Sequence, residues 1–264
     1  MDLGLDGKVA WVLGASSGLG RATALSMARD GAQVAVSARR EDELKKAVSE
    51  IESETGARAV AVSLDVTDLD AIPEAARRVE AELGPIDVLV SNAGGPPPGG
   101  LDAIDDETFR AAFRLTTESA WRLANAVAPG MKERGSGVLI FLTSSSTKEI
   151  IPALMLSNTM RAAVVGLAKT LSKELGPQGI RVLCVAPGRI NTARLKSLDE
   201  HTAKATNRSP DEVRAAVQSQ IPLGRYGSPE ELGDVVAFLA SERASYLTGT
   251  TVLVDGGLLN GILS

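Results

Sequence analysis

Short, unbroken apolar runs alternate along this chain with longer stretches whose apolar positions recur at helical spacing. Residues 9–13, Val-Ala-Trp-Val-Leu, read as a buried strand. A helical pattern follows, carrying Leu19, Ala22, Thr23, Leu25, Ser26 and Met27 before Asp30-Gly31. Residues 33–37 predict a second strand and 41–55 an amphipathic helix. A third strand is expected at 59–64, then a helix over 69–83 closed by Gly84-Pro85, a stop signal. A fourth strand covers 86–90. One long helix then spans about 105–134, with its break expected near Pro129-Gly130. Strands at 138–142, 180–186 and 251–254 complete the set, with a helix within 153–175 between the first two. Strands that alternate with helices imply a parallel sheet covered on both faces. The expectation is a single doubly wound α/β (Rossmann) domain over 1–264, with a seven-stranded parallel sheet.

Composition narrows the function classes. Of 264 residues, 44% are hydrophobic, enough for a sizeable core, and aromatics at 3% leave that core to Ala, Val, Leu and Ile. A formal charge of −5 with scattered basic residues points away from nucleic acid and anionic membranes. The single cysteine, Cys184, and single histidine, His201, exclude an internal disulfide and a Cys- or His-rich metal site. Cys184 lies mid-strand and reads as a buried small apolar residue. No apolar run reaches membrane-spanning length. The first residues lack a basic segment followed by an apolar one, so a cytoplasmic location is expected.

The candidate chemistry begins at Gly14-Ala15-Ser16-Ser17-Gly18-Leu19-Gly20, between the first strand and the first helix. Glycines there let backbone approach a diphosphate without a Cβ in the way, and the first helical turn offers unpaired N–H groups. The spacing is Gly-x-x-x-Gly-x-Gly, not the commoner Gly-x-Gly-x-x-Gly. A tight turn that binds nothing is the alternative. In doubly wound folds ligands lie beyond the carboxyl ends of the strands. Gly14, Arg39, Asp65, Asn92, Ser144 and Gly188 all fall at such ends, so one crevice could collect them.

These motifs resemble those of the short-chain dehydrogenase/reductases, particularly 3-oxoacyl-carrier-protein reductase-like members. The resemblance rests on the glycine turn, Leu64-Asp65-Val66, Asn92-Ala93-Gly94, Pro187-Gly188-x-Ile190-x-Thr192 and Pro222-Leu223-Gly224-Arg225. It continues through Ser228-Pro229-Glu230-Glu231, Phe238-Leu239-Ala240-Ser241, Leu247-Thr248-Gly249 and Val254-Asp255-Gly256-Gly257. It implies that Gly14, Ser16, Ser17, Gly18, Leu19 and Gly20 hold a cofactor diphosphate. Asp65 and Val66 would meet the adenine, and Asn92, Ala93 and Gly94 the adenosine and ribose side. Pro187, Gly188 and Ile190 would lie along the nicotinamide, with Thr192 near its carboxamide or the diphosphate. Asp65 could instead cap a turn, and Thr192 a helix.

Cofactor choice turns on the end of the second strand. An acidic residue there would accept ribose hydroxyls and repel a 2′-phosphate. This chain has Ala38, followed by Arg39 and Arg40, and guanidinium matches phosphate geometry. NADP is therefore expected over NAD, with Arg39 as the contact and Arg40 solvated and paired with Glu41 or Glu43.

The family's catalytic residues are only partly present. Aligned on the resemblance, the Tyr position is Ser157, the Lys position Arg161 and the Asn position Thr116, whereas the carbonyl-orienting Ser is Ser144. A serine is a far weaker acid than a phenol of pKa about 10, and arginine does not exchange protons near neutrality. Lys148, Glu149 and His201 are candidate substitutes, each with a solvated reading beside it. The loop Gly94-Gly95-Pro96-Pro97-Pro98-Gly99-Gly100 forms either a stiff wall of the substrate mouth or a spacer, and 191–220 a lid.

The functional expectation is an NADP-dependent oxidoreductase that moves hydride to or from a small carbonyl or alcohol. Ser144 would polarise the carbonyl, and Arg161 would anchor the nicotinamide ribose or a substrate anion. Two alternatives stand beside it: an NADP-binding sensor or scaffold with little catalysis, and proton or elimination chemistry in which Ser144, Arg161 and Lys148 hold an anion. A homotetramer is expected from the resemblance, with a dimer as runner-up.

Overall fold

The computed structural model describes residues 2–261. Seven strands form one sheet: β1 (Val9–Leu13), β2 (Gln33–Ala38), β3 (Ala59–Ser63), β4 (Val88–Ser91), β5 (Gly137–Leu142), β6 (Ile180–Pro187) and β7 (Thr251–Val254). Every pairing is parallel, in the order β3-β2-β1-β4-β5-β6-β7. The chain runs outward from β1 to β3, returns to place β4 beside β1, then runs outward the other way. The β1–β4 boundary is thus the switch point, where a doubly wound sheet opens a crevice.

Alternation along the strands builds two cores. Val9, Trp11 and Leu13 face one side, with Leu89, Leu139, Phe141 and Cys184. The helices α3 (Ile72–Leu83), α5 (Ser119–Arg134) and α6 (Met155–Leu175) cover that side. Ala10 and Val12 face the other, with Val34, Val90, Ile140 and Val185, beneath α1 (Gly18–Arg29), α2 (Glu41–Thr55) and α9 (Pro229–Ala240). Such continuous burial on both faces explains why the central strands read as unbroken apolar runs. Trp11, the largest fully buried side chain, donates its indole N–H to Ser37 Oγ at 2.8 Å.

Several boundaries differ from those the sequence predicts. The second strand extends to Ala38, which pairs with Ser63. Helix α3 starts at Ile72, not residue 69, because turns at Asp65 and Asp68 occupy the approach. The long helix is interrupted at a different place. α4 (Asp106–Phe113) passes into a π-helical turn, Arg114–Glu118, and then into α5. There the Thr116 hydroxyl donates to Ala112 O, and Ser119 Oγ to Leu115 O at 2.6 Å, so side chains compete for the carbonyl ladder. Pro129 stays inside α5: it and Asn125, four residues earlier, are both exposed, so the carbonyl left without its N–H can be solvated. The predicted lid region contains α7 (Ala193–Thr206) and α8 (Pro210–Gln218).

The first turn of α1 lies against the end of β1 so closely that a Cβ on Gly20 would overlap the Gly14 carbonyl. Gly20→Ala is expected to destabilise the chain by about 1–3 kcal/mol, as overpacking does. A lowered midpoint in thermal or urea unfolding checks this.

Candidate functional site

The glycine turn folds as its residues require. Gly14 has φ +60°, and a Cβ there would meet the Asn92 amide nitrogen at 2.7 Å. Asn92 Nδ2 donates to Gly14 O at 3.4 Å, which ties the end of β4 to the end of β1. Ser17 stands at the N-cap of α1 without a capping side-chain bond, and the first turn carries no acidic residue. Unpaired N–H groups and an uncompensated positive helix end therefore face the crevice, which is the arrangement that accepts a phosphate.

One crevice of about 970 Å³ collects the predicted cofactor residues. Gly14, Ser16, Ser17, Gly18 and Leu19 line it, as do Arg39, Asp65, Val66, Asn92, Ala93, Gly94, Pro187, Gly188, Ile190 and Thr192. Gly20 lies behind the turn, where it permits the close approach. Both alternatives left open by turn chemistry are realised structurally. Asp65 Oδ1 accepts from Thr67 N at 2.9 Å and Thr67 Oγ1 at 2.8 Å. Thr192 caps α7 by accepting from Leu195 N at 3.2 Å. These bonds leave both residues at the crevice wall. Arg40 does not pair with Glu41 or Glu43 as expected. Lys45 takes Glu41 and Lys46 takes Glu43, because both lysines lie on the glutamates' own helix face. Arg40 instead joins Arg39 on the crevice rim.

At the other end lie Ser144, Ser157 and Arg161. Ser144 follows β5, and its Oγ accepts from Ser146 N at 3.1 Å, so its own proton remains available for donation. Ser157 and Arg161 sit one turn apart on α6 and share a face. Arg161 is only 9% exposed. It donates through Nη1 to Leu142 O at 2.6 Å and through Nη2 to Ala93 O at 3.2 Å, and its buried Nε has no partner. Burial, with the nearby Arg194 charge, pulls this guanidinium down to about 10. It remains a cation at neutral pH, and no carboxylate pairs with it among the described residues.

The remaining candidates separate from this group. Thr116 is buried in the π-helical turn and does not line the crevice. Lys148, Glu149 and His201 are exposed outside its lining. Cys184 is buried, and burial pushes its thiol up to about 12, so it is an inert core residue. The proline loop is a wall: Gly94, Gly95, Pro96 and Pro97 line the crevice. Backbone bonds from Gly99 N to Ala153 O and from Met155 N to Gly99 O hold it against α6. Sequence reasoning missed Arg189 and Arg194, which reach the crevice from the segment leading into α7 and from its first turn. Arg194 Nη2 donates to Pro96 O at 2.9 Å, and only tertiary placement reveals that bridge.

Comparison with known proteins agrees with this architecture. The family model described as Enoyl-(Acyl carrier protein) reductase matches residues 14–259. The 3-oxoacyl-[acyl-carrier-protein] reductase FabG of Thermotoga maritima is 35% identical over 255 residues, covering 97% of this chain and 99% of that protein. The chain belongs to the short-chain dehydrogenase/reductase superfamily. Another member, the 2,3-dihydro-2,3-dihydroxybenzoate dehydrogenase of Bacillus subtilis, is 33% identical, covering 98% of each chain. Among solved structures, L-sorbose reductase from Gluconobacter frateurii, complexed with NADPH and L-sorbose, superposes with a TM-score of 0.94 at 33% identity, covering 99% of this chain and 100% of that one. These relatives make the protein an oxidoreductase of this superfamily by descent and fold. No helix among the described residues is long and apolar enough to cross a membrane.

In this short-chain dehydrogenase/reductase, α7 and α8 are fastened to the body by a small polar and apolar knot. Buried Tyr226 donates to Asp199 Oδ2 at 3.1 Å, and the Arg214 guanidinium stacks 4.8 Å from its ring centre. Leu195 and Ile221 pack beside them, and Arg189 lies 3.9 Å from the Asp199 carboxylate. Burial first, and then the Asp199 charge, push the Tyr226 phenol up to about 12. The folded pKa is raised above the unfolded value of about 10, so this contribution to stability is complete below pH ~10 and is lost as pH rises toward 12. Ultraviolet titration is expected to show a phenol ionising near 12 that Tyr226→Phe removes.

Proposed function

We propose that this protein is an NADP-dependent oxidoreductase that moves hydride to or from a small carbonyl or alcohol. The observation that carries the proposal is continuity. One crevice runs from Arg39 and Arg40, past the glycine turn and the uncapped start of α1, to Ser144. Gly14, Ser16, Ser17, Gly18, Leu19 and Gly20 would hold the diphosphate, and Arg39 the 2′-phosphate beside the small Ala38. Asp65, Val66, Asn92, Ala93 and Gly94 would border the adenosine half, and Pro187, Gly188, Ile190 and Thr192 the nicotinamide half. The NADPH complex of L-sorbose reductase supports the same choice of cofactor. When bound, the nicotinamide supplies or accepts the hydride.

The chain's own residues would do the rest. The Ser144 proton, which is not spent on Ser146, would donate to the carbonyl oxygen and polarise it. Arg161 would hold positive charge under the ribose or a substrate anion. We read Thr116, Ser157 and Arg161 as replacements of the family's Asn, Tyr and Lys, so the phenolic acid is missing and a proton must come from water or the substrate. α7 and α8 would act as the lid. A homotetramer accords with the apolar Phe109, Phe113 and Trp121 left exposed on α4 and α5, and with Tyr246 and Leu247 exposed near edge strand β7.

A second reading is an NADP-binding protein with little turnover. It draws support from Arg161, whose two terminal nitrogens already serve backbone carbonyls, and from a serine where an acid is needed. Fluorescence titration and NADPH consumption with small ketones decide between them. The first reading expects NADPH bound more tightly than NADH, with Arg39→Ala lowering NADPH affinity about 10-fold. It also expects slow ketone reduction that Ser144→Ala reduces by about 10²-fold or more. The pair Ser157→Tyr and Arg161→Lys should raise kcat by about 10²-fold or more. Binding without turnover on any ketone favours the second reading, and failure to bind either nucleotide sinks both.

A further inference from the structure

Arg161 and Arg194 both line the crevice, bond to the same loop and lie near enough for their charges to interact. Arg161, on α6, donates to Ala93 O, and Arg194, in the first turn of α7, donates to Pro96 O and lies against Gly95. Neither has a carboxylate partner among the described residues; Glu107 lines the crevice but pairs with neither. Three unfavourable features coincide there. Arg161 is a buried charge left without a counter-ion, and such a charge is costly. Arg194 is a cation in a helix's first turn, where the dipole disfavours it, and that turn contains no acidic residue. The two like charges also repel each other. A single anion between them would relieve all three. Arg194 keeps four of its five N–H donors free of its bond to Pro96 O, and is exposed enough to turn them toward a ligand.

We propose that Arg194 and Arg161 form a subsite for an anionic group, carboxylate or phosphate, on the substrate. The proposal rests on the reading of this crevice as an oxidoreductase site, and it names the substrate class: a small oxo or hydroxy acid, or a phosphorylated counterpart. Arg194 is the direct contact. Arg161 supplies charge from beneath, because its own terminal nitrogens are held by Leu142 and Ala93 carbonyls.

Calorimetric titration of the full chain with malonate and with inorganic phosphate, each with and without saturating NADPH, tests this. At least one anion should bind in the presence of NADPH, and the tighter of the two assigns carboxylate or phosphate. Arg194→Ala should weaken that anion about 10-fold or more while NADPH affinity stays within about 2-fold, and Arg194→Lys should restore part of the loss. Absence of anion binding to the wild type, an unchanged affinity in Arg194→Ala, or an equal loss of NADPH affinity would each overturn the subsite. If NADPH does not bind at all, the oxidoreductase reading falls, whereas anion binding that depends on Arg194 without nucleotide leaves the subsite standing.

Discussion

The close approach of α1 to β1 is the constraint on which the rest of this molecule depends. Gly20 lies against the Gly14 carbonyl, and Asn92 reaches over from β4 to the same oxygen. That contact closes the turn, aims the start of α1 at the switch point and fixes the gap between β1 and β4. The other walls follow from the sheet. Parallel order brings Ala38, Leu64, Asn92, Thr143 and Pro187 to one edge, so the loops after five strands share a crevice without any special provision.

The two ends of that crevice have different physical character. At one end, backbone N–H groups and exposed guanidinium groups suit phosphates. At the other lie Ser144, whose hydroxyl proton is not spent on Ser146, and the buried Arg161. We propose that this end orients and attracts a substrate and leaves proton movement to water or to the substrate.

Much of this was legible in the chain before folding was considered. Continuous apolar runs reported strands buried on both faces, and the glycine spacing reported a tight turn between β1 and α1, which the structure closes with positive φ at Gly14 and Gly18. What escaped was set by side chains acting across the fold or against local preference. The interruption of the long helix falls where the Thr116 and Ser119 hydroxyls bond to carbonyls four residues back, not at Pro129, whose place at the surface makes it tolerable. Arg40 stays on the crevice rim because Lys45 and Lys46 already take its expected partners. Arg194 carried no signal at all, since its neighbours Gly95 and Pro96 lie almost a hundred residues earlier.

Amide hydrogen exchange with and without NADPH addresses the cradle directly, independently of whether any ketone is reduced. The account predicts slower exchange confined to residues 14–20, 39–40, 92–94 and 187–192, with the opposite end of the sheet around Lys8, Asp87 and Arg181 unchanged. No protection at the glycine turn, or protection centred on that opposite end, would contradict it.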